Sequence, residues 1–127
     1  MIGFFSDEAA SQSYPLALLR LFYPSTGNFI GVISNFESSS FAADIARHMR
    51  ATRVGIKTLS APSCVVGVDF SDHRNYWKFG YDAVMITDTA FYRNPHYHRA
   101  TDTIETLDFT RMKEVIKGIC WSILNLK

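Results

Sequence analysis

The chain has 127 residues, 47% hydrophobic and 20% charged, a balance that suits one folded domain with a real core and excludes a disordered chain. The 13 basic and 12 acidic residues leave a formal net charge of +1 with no basic stripe or tail, so nucleic acid is not expected as a partner. No apolar run reaches the roughly 18 residues of a membrane-spanning helix. Met1 to Ala10 lacks the basic-then-apolar pattern of a secretory signal, so the cytoplasm is the default expectation.

Taken in chain order, Met1 to Phe5 reads as the tail of a strand, and Pro15 to Phe22 as a short helix. Phe29 to Ile33 is a continuous apolar run, the pattern of a strand covered on both faces. Ser38 to Met49 places Phe41, Ile45 and Met49 four residues apart, on one helical face. Val54 to Leu59 predicts a second strand. Ser71 to Phe79 predicts a short helix that Ser71 or Asp72 would cap. Ala83 to Ile86 predicts a third strand, and Thr87 to Leu107 a long loop. Asp108 then opens the clearest helix, with an apolar stripe of Met112, Val115, Ile116, Ile119 and Ile123. Strand and helix alternate, which predicts an α/β domain with a mostly parallel sheet and a ligand site at the carboxyl ends of its strands. Cys64 and Cys120, without CxxC spacing, read as reduced and partly buried thiols.

Two clusters carry candidate chemistry. In the long loop, His96 and His98 stand two apart with Asp102 four residues later. Were this segment extended, both rings would face one side and could share a metal, with the carboxylate closing the site. Two histidines do not make a site, so surface or loop-packing roles stand beside that reading. The second cluster is Asp69-Phe70-Ser71-Asp72-His73. It is no catalytic triad, because triad members meet from distant parts of a chain; it reads as a strand-to-helix turn with Ser71 and Asp72 capping. No phosphate loop, dinucleotide fingerprint, nucleophile elbow or HExxH pair is present.

Together the clusters are more specific. Ser71-Asp72-His73, Phe79-Gly80-Tyr81-Asp82-Ala83-Val84, Ile86-Thr87-Asp88-Thr89-Ala90, Arg93-Asn94-Pro95-His96-Tyr97-His98, Asp102-Thr103 and Thr106-Leu107-Asp108 form a series. That series resembles the zinc-dependent aminopeptidase family that also includes the glutaminyl cyclases, on its bacterial aminopeptidase branch. Met1-Ile2-Gly3-Phe4-Phe5-Ser6-Asp7-Glu8 and Gly27-Asn28-Phe29-Ile30 look like family segments as well.

The resemblance implies the C-terminal half of a three-layer α/β/α sandwich with a mostly parallel or mixed sheet. It implies hydrolysis of N-terminal residues from peptides at a site that usually holds two zinc ions. Of the family's ligands, only the final histidine falls in this sequence, at His98; His96 occupies a variable position of the motif. Asp72 and Asp102 would support the site from behind the ligands, with helix-cap and turn roles as the alternatives. Tyr97, Phe91 and Met1 would line the substrate pocket. Met1-Ile2-Gly3 matches the segment directly after another family ligand, so the remaining ligands and the general base would lie outside this sequence. Two expectations follow. The chain is either a portion of a longer aminopeptidase, inactive alone, or a natural half-domain that pairs with a separate half or with itself.

Overall fold

The computed structural model describes residues 1–126. Strand β1, Phe29–Ser34, is the centre of a three-stranded sheet ordered β2-β1-β3. All six of its residues are buried, which is why its sequence is continuously apolar rather than alternating. Strand β2, Gly55–Ser60, runs parallel to β1 from Phe29↔Gly55 to Ser34↔Ser60. Strand β3, Met85–Thr87, lies on the other side of β1 and is antiparallel, with Gly31↔Thr87 and Ile33↔Met85. The structure is therefore α/β with a mixed sheet flanked by helices.

The reversal of β3 follows from where the connection packs. The helix between β2 and β3, α2 (His73–Lys78), packs through Trp77 against Ile33, Ala61 and Val68, and β3 starts there, with Met85 opposite Ile33. The long loop after β3 consequently emerges beside the amino end of β1, not at the shared carboxyl ends expected of a parallel sheet.

One sheet face is covered by α1 (Ser39–Met49) and α3 (Phe109–Asn125). Ile30, Val32 and Ile56 meet Ala42, Ile45, Ala46, Met49 and Val115 in the main core, with Ile86 packed against it. The two helices approach closely at Gly118, where a Cβ would stand 3.3 Å from Met49 Cγ and 3.3 Å from Thr52 Cγ2. The buried line of α3 is Val115, Gly118 and Ser122. The predicted stripe is thus only partly covered: Ile116 and Ile123 are 46% and 67% exposed, and Trp121 and Leu124 are also exposed. Asp108 caps α3 as predicted, its Oδ1 accepting from Arg111 N at 2.9 Å.

The opposite face is covered by the short 3-10 helix Ala17–Leu21 and by loops. At one end of the sheet, Trp77 of α2 packs against Ile33, Ala61 and Val68, and its Nε1 donates to Ala83 O at 2.9 Å. Met1 to Phe5 does not form the expected strand. The Asp88 carboxylate takes the amides of Gly3 and Phe4 (3.1 and 3.0 Å to Oδ2), which a ladder would otherwise use. Both cysteines are free, and they are exposed rather than partly buried. Among the described residues, no helix is long and apolar enough to cross a membrane.

Candidate functional site

The loop-covered face of the sheet holds a cavity of about 180 Å³. Its floor is set by strand register. Lys57, Gly31 and Thr87 stand side by side across the three strands, and Leu59, Ile33 and Met85 form the next inward row. Gly31 contributes no side chain, and Ile33 Cδ1 takes that space, 3.2 Å from where a Cβ would stand. The roof is aromatic: Phe70 and Phe91 rings lie 6.2 Å apart, Phe91 and Tyr97 5.8 Å, and Phe91 and Tyr92 4.4 Å. Gly67, at φ +94°, lets the facing loop come down on this roof; a Cβ there would be 3.3 Å from Tyr92 Cε2.

The tyrosines around the cavity have committed hydroxyls. Tyr14 donates to Pro24 O at 2.5 Å, Tyr23 to Thr58 O at 2.6 Å and Tyr92 to Val66 O at 3.1 Å. Burial pushes the Tyr14 hydroxyl up to about 12 and raises Tyr23 and Tyr92 as well. They stay protonated at neutral pH and serve as walls rather than bases.

A buried polar network braces the loop that carries the roof. Gln12 Oε1 accepts from Arg93 Nε at 2.8 Å and from Thr89 Oγ1 at 3.0 Å. Arg93 also donates to Phe29 O at 2.9 Å, and its guanidinium lies 4.7 Å from the Phe29 ring centroid. Burial lowers Arg93 to about 10, with Asp88 pulling the other way, so it remains charged near pH 7. Asp88 is 1% exposed; besides Gly3 and Phe4 it accepts from Ala90 N at 3.2 Å. Thr89 and Ala90 sit at φ +67° and +47°, left-handed conformations rare for non-glycine residues. Gln12 was not singled out by the sequence, and Asp88 and Arg93 stood in the motif series without an assigned role. Isolated polar residues carry no periodic signal, and only the fold brings Gln12 within reach of the loop.

Met1, Phe91 and Tyr97 line this one cavity together. His98 is at its rim: exposed, at φ +56°, with its ring stacked on Tyr97 at 3.9 Å and 15°. Among the described residues the His98 ring makes no hydrogen bond, whereas His96 Nδ1 lies 3.0 Å from Thr101 Oγ1. The extended geometry that would align the two rings is absent; residues 95–98 form turns, with Tyr97 N on Asn94 O at 3.3 Å and Arg99 N on His96 O at 2.9 Å. Asp102 is exposed and accepts from Asn94 Nδ2 at 3.4 Å. Asp72 is exposed at the start of α2 and makes no side-chain cap bond, beside Ser71 and Phe70, which line the cavity.

Among the described residues no group of three or more His, Cys, Asp or Glu side chains comes together to hold a metal ion. A catalytic zinc needs three protein ligands and an open position. With His96 turned to Thr101 and Asp102 to Asn94, His98 is one available donor, and the residues present do not make up a zinc site.

The chain is 34% identical over 128 residues to the uncharacterized protein YfbL of Escherichia coli (strain K12), a match covering all of this chain and 40% of that relative. It is 46% identical over 52 residues to probable leucine aminopeptidases of Arthroderma benhamiae and Trichophyton verrucosum, 40% of this chain and 14% of each relative. No family model matches the chain, and no solved structure does. The likeness to a peptidase is partial. The chain spans 40% of the length of the bacterial relative.

Proposed function

We propose that this chain is part of a metal-dependent aminopeptidase, the C-terminal portion of its catalytic domain. In this reading His98 supplies one zinc ligand and the neighbouring cavity receives the side chain of the substrate's N-terminal residue. One observation supports it most: Tyr97 lines the cavity and stacks on His98. An imidazole without a hydrogen-bond partner among the described residues therefore stacks on a wall residue of the pocket. The partial likeness to probable leucine aminopeptidases supports the same reading, and an aromatic-lined cavity of about 180 Å³ suits a leucine-sized side chain.

Zinc would supply an activated water and polarise the scissile carbonyl. The part that falls to this chain is narrower. His98 offers a ring nitrogen, Tyr97 fixes the ring by stacking, and Phe91, Tyr97 and Met1 shape the pocket. Asp102, through Asn94, orders the turn around His98; Asp72 stands beside the facing loop without a side-chain cap bond. The other ligands and the general base would come from outside these 127 residues, so the isolated chain is expected to be inactive. The test is the native protein, purified from its source at whatever length it has. It should release leucine from leucyl-p-nitroanilide, lose activity to a chelator and regain it with zinc; His98→Ala should abolish it. Full activity in His98→Ala would contradict the assignment.

A second reading is favoured by the uncovered apolar side of α3, where Ile116, Trp121, Ile123 and Leu124 are exposed. Such a patch suits association, so a non-catalytic half-domain that pairs with a separate half or with itself remains the alternative proposal.

A further inference from the structure

The cavity has a feature that a purely apolar side-chain pocket does not need. Among the described residues, Lys57 is the only charged side chain that lines it. It stands on β2 opposite Gly31 in the strand register. It is half-buried, and among the described residues it forms neither an ion pair nor a hydrogen bond. The hydroxyls of Tyr14, Tyr23 and Tyr92 are spent on backbone carbonyls, and the Gln12 carbonyl is shared by Arg93 and Thr89. Lys57 thus brings a cationic group without a partner among the described residues to an otherwise uncharged wall.

We propose that this cavity is a binding site for a small organic anion. The ligand is an aliphatic or aromatic monocarboxylate, with its apolar body between Ile33 and the Phe91–Tyr97 roof and its carboxylate on Lys57. The apolar walls contribute affinity by burial, and the ammonium contributes selectivity for the anion through a charge-assisted hydrogen bond. The site needs no metal and no contribution from His98, so it stands whether or not the chain belongs to a peptidase. The competing explanation is an edge-strand lysine whose stem packs along the wall while its charge blocks strand pairing.

The four methionines give a local readout. Met1 and Met85 line the cavity, Met49 lies in the main core, and Met112 packs near Gly3. The chain, labelled at the methionine methyls with ¹³C, is titrated by NMR with 3-phenylpropionate and with its uncharged amide, 3-phenylpropionamide. The expected result is saturable shifts at Met1 and Met85 with Met49 and Met112 in place. The amide should bind about tenfold more weakly, as should the carboxylate to Lys57→Gln, and Lys57→Arg should restore binding. Equal binding of acid and amide, or unchanged affinity in Lys57→Gln, would overturn the proposal. So would shifts shared by all four methyls, or none at Met1 and Met85.

Discussion

At the residue scale, His98 and Asp88 invite opposite expectations. His98 is an exposed non-glycine residue in a left-handed conformation, a placement that costs about 1–2 kcal/mol for most L-residues. Glycine relieves that cost but loses more backbone entropy. His98→Gly should therefore leave stability within about 0.5 kcal/mol in urea unfolding, while removing the ring that the proposed activity needs. A large loss of stability would mean that the ring serves the fold. Asp88 is buried and accepts from three backbone amides, so Asp88→Ala should cost about 3 kcal/mol by the same measurement. Tyr14 gives a pH dependence. Its folded value is raised to about 12 from 10.0; the folded state thus holds the proton more tightly. The stabilisation is fully present below pH 10 and is lost as pH rises from 10 to 12. Arg93, lowered from 12.5 to about 10, acts with the opposite sign in that window. The difference between wild type and Tyr14→Phe isolates the tyrosine: it should shrink with rising pH.

At the scale of elements, caps and helix contacts separate residues that look alike in the sequence. Asp108 and Asp72 both precede helices. The Asp108 carboxylate receives an amide, whereas Asp72 has helical backbone angles and no side-chain cap bond. Asp108→Ala should cost about 1 kcal/mol and Asp72→Ala less than about 0.5, measured by thermal or urea unfolding. Gly118 stands inside α3 although glycine is a poor helix former. The contact with Met49 and Thr52 explains it, and Gly118→Val should destabilise by about 2–3 kcal/mol through overpacking. The elements themselves were legible because their signals are local. The apolar run of β1, the buried stripe of α1 and the Asp108 cap each fall within one or two residues of the observed bounds. The Met1 to Phe5 strand failed because Asp88, about eighty residues away, takes its amides; no local pattern encodes that. The turn at His96 to His98 hid for a similar reason, since it is fixed by Asn94 and Thr101 rather than by periodicity.

At the scale of the whole molecule, the class was legible from the alternation of strand and helix, but the direction of β3 was not. Strand order and polarity depend on where a connection packs, here with Trp77 against Ile33, Ala61 and Val68, and no local pattern encodes that. That reversal decides the site. It brings the loop holding Phe91, Tyr97 and His98 to the amino end of β1, where it folds over the sheet face and meets the loop holding Phe70. The cavity residues Met1, Phe91 and Tyr97 could be named from a resemblance, but Lys57 and Gly31 become site residues only through register. The exposed apolar side of α3 leads to an expectation for the isolated chain: light scattering should show self-association that decreases when Trp121 and Leu124 are replaced by glutamine. The central claim is that His98 binds the metal of an aminopeptidase. The most direct test is zinc content and leucyl-p-nitroanilide hydrolysis of the native-length protein, compared with its His98→Ala variant. The account predicts bound zinc and chelator-sensitive activity in the native protein, both lost in the variant. A zinc-replete protein without activity, or a variant that keeps both, would contradict it.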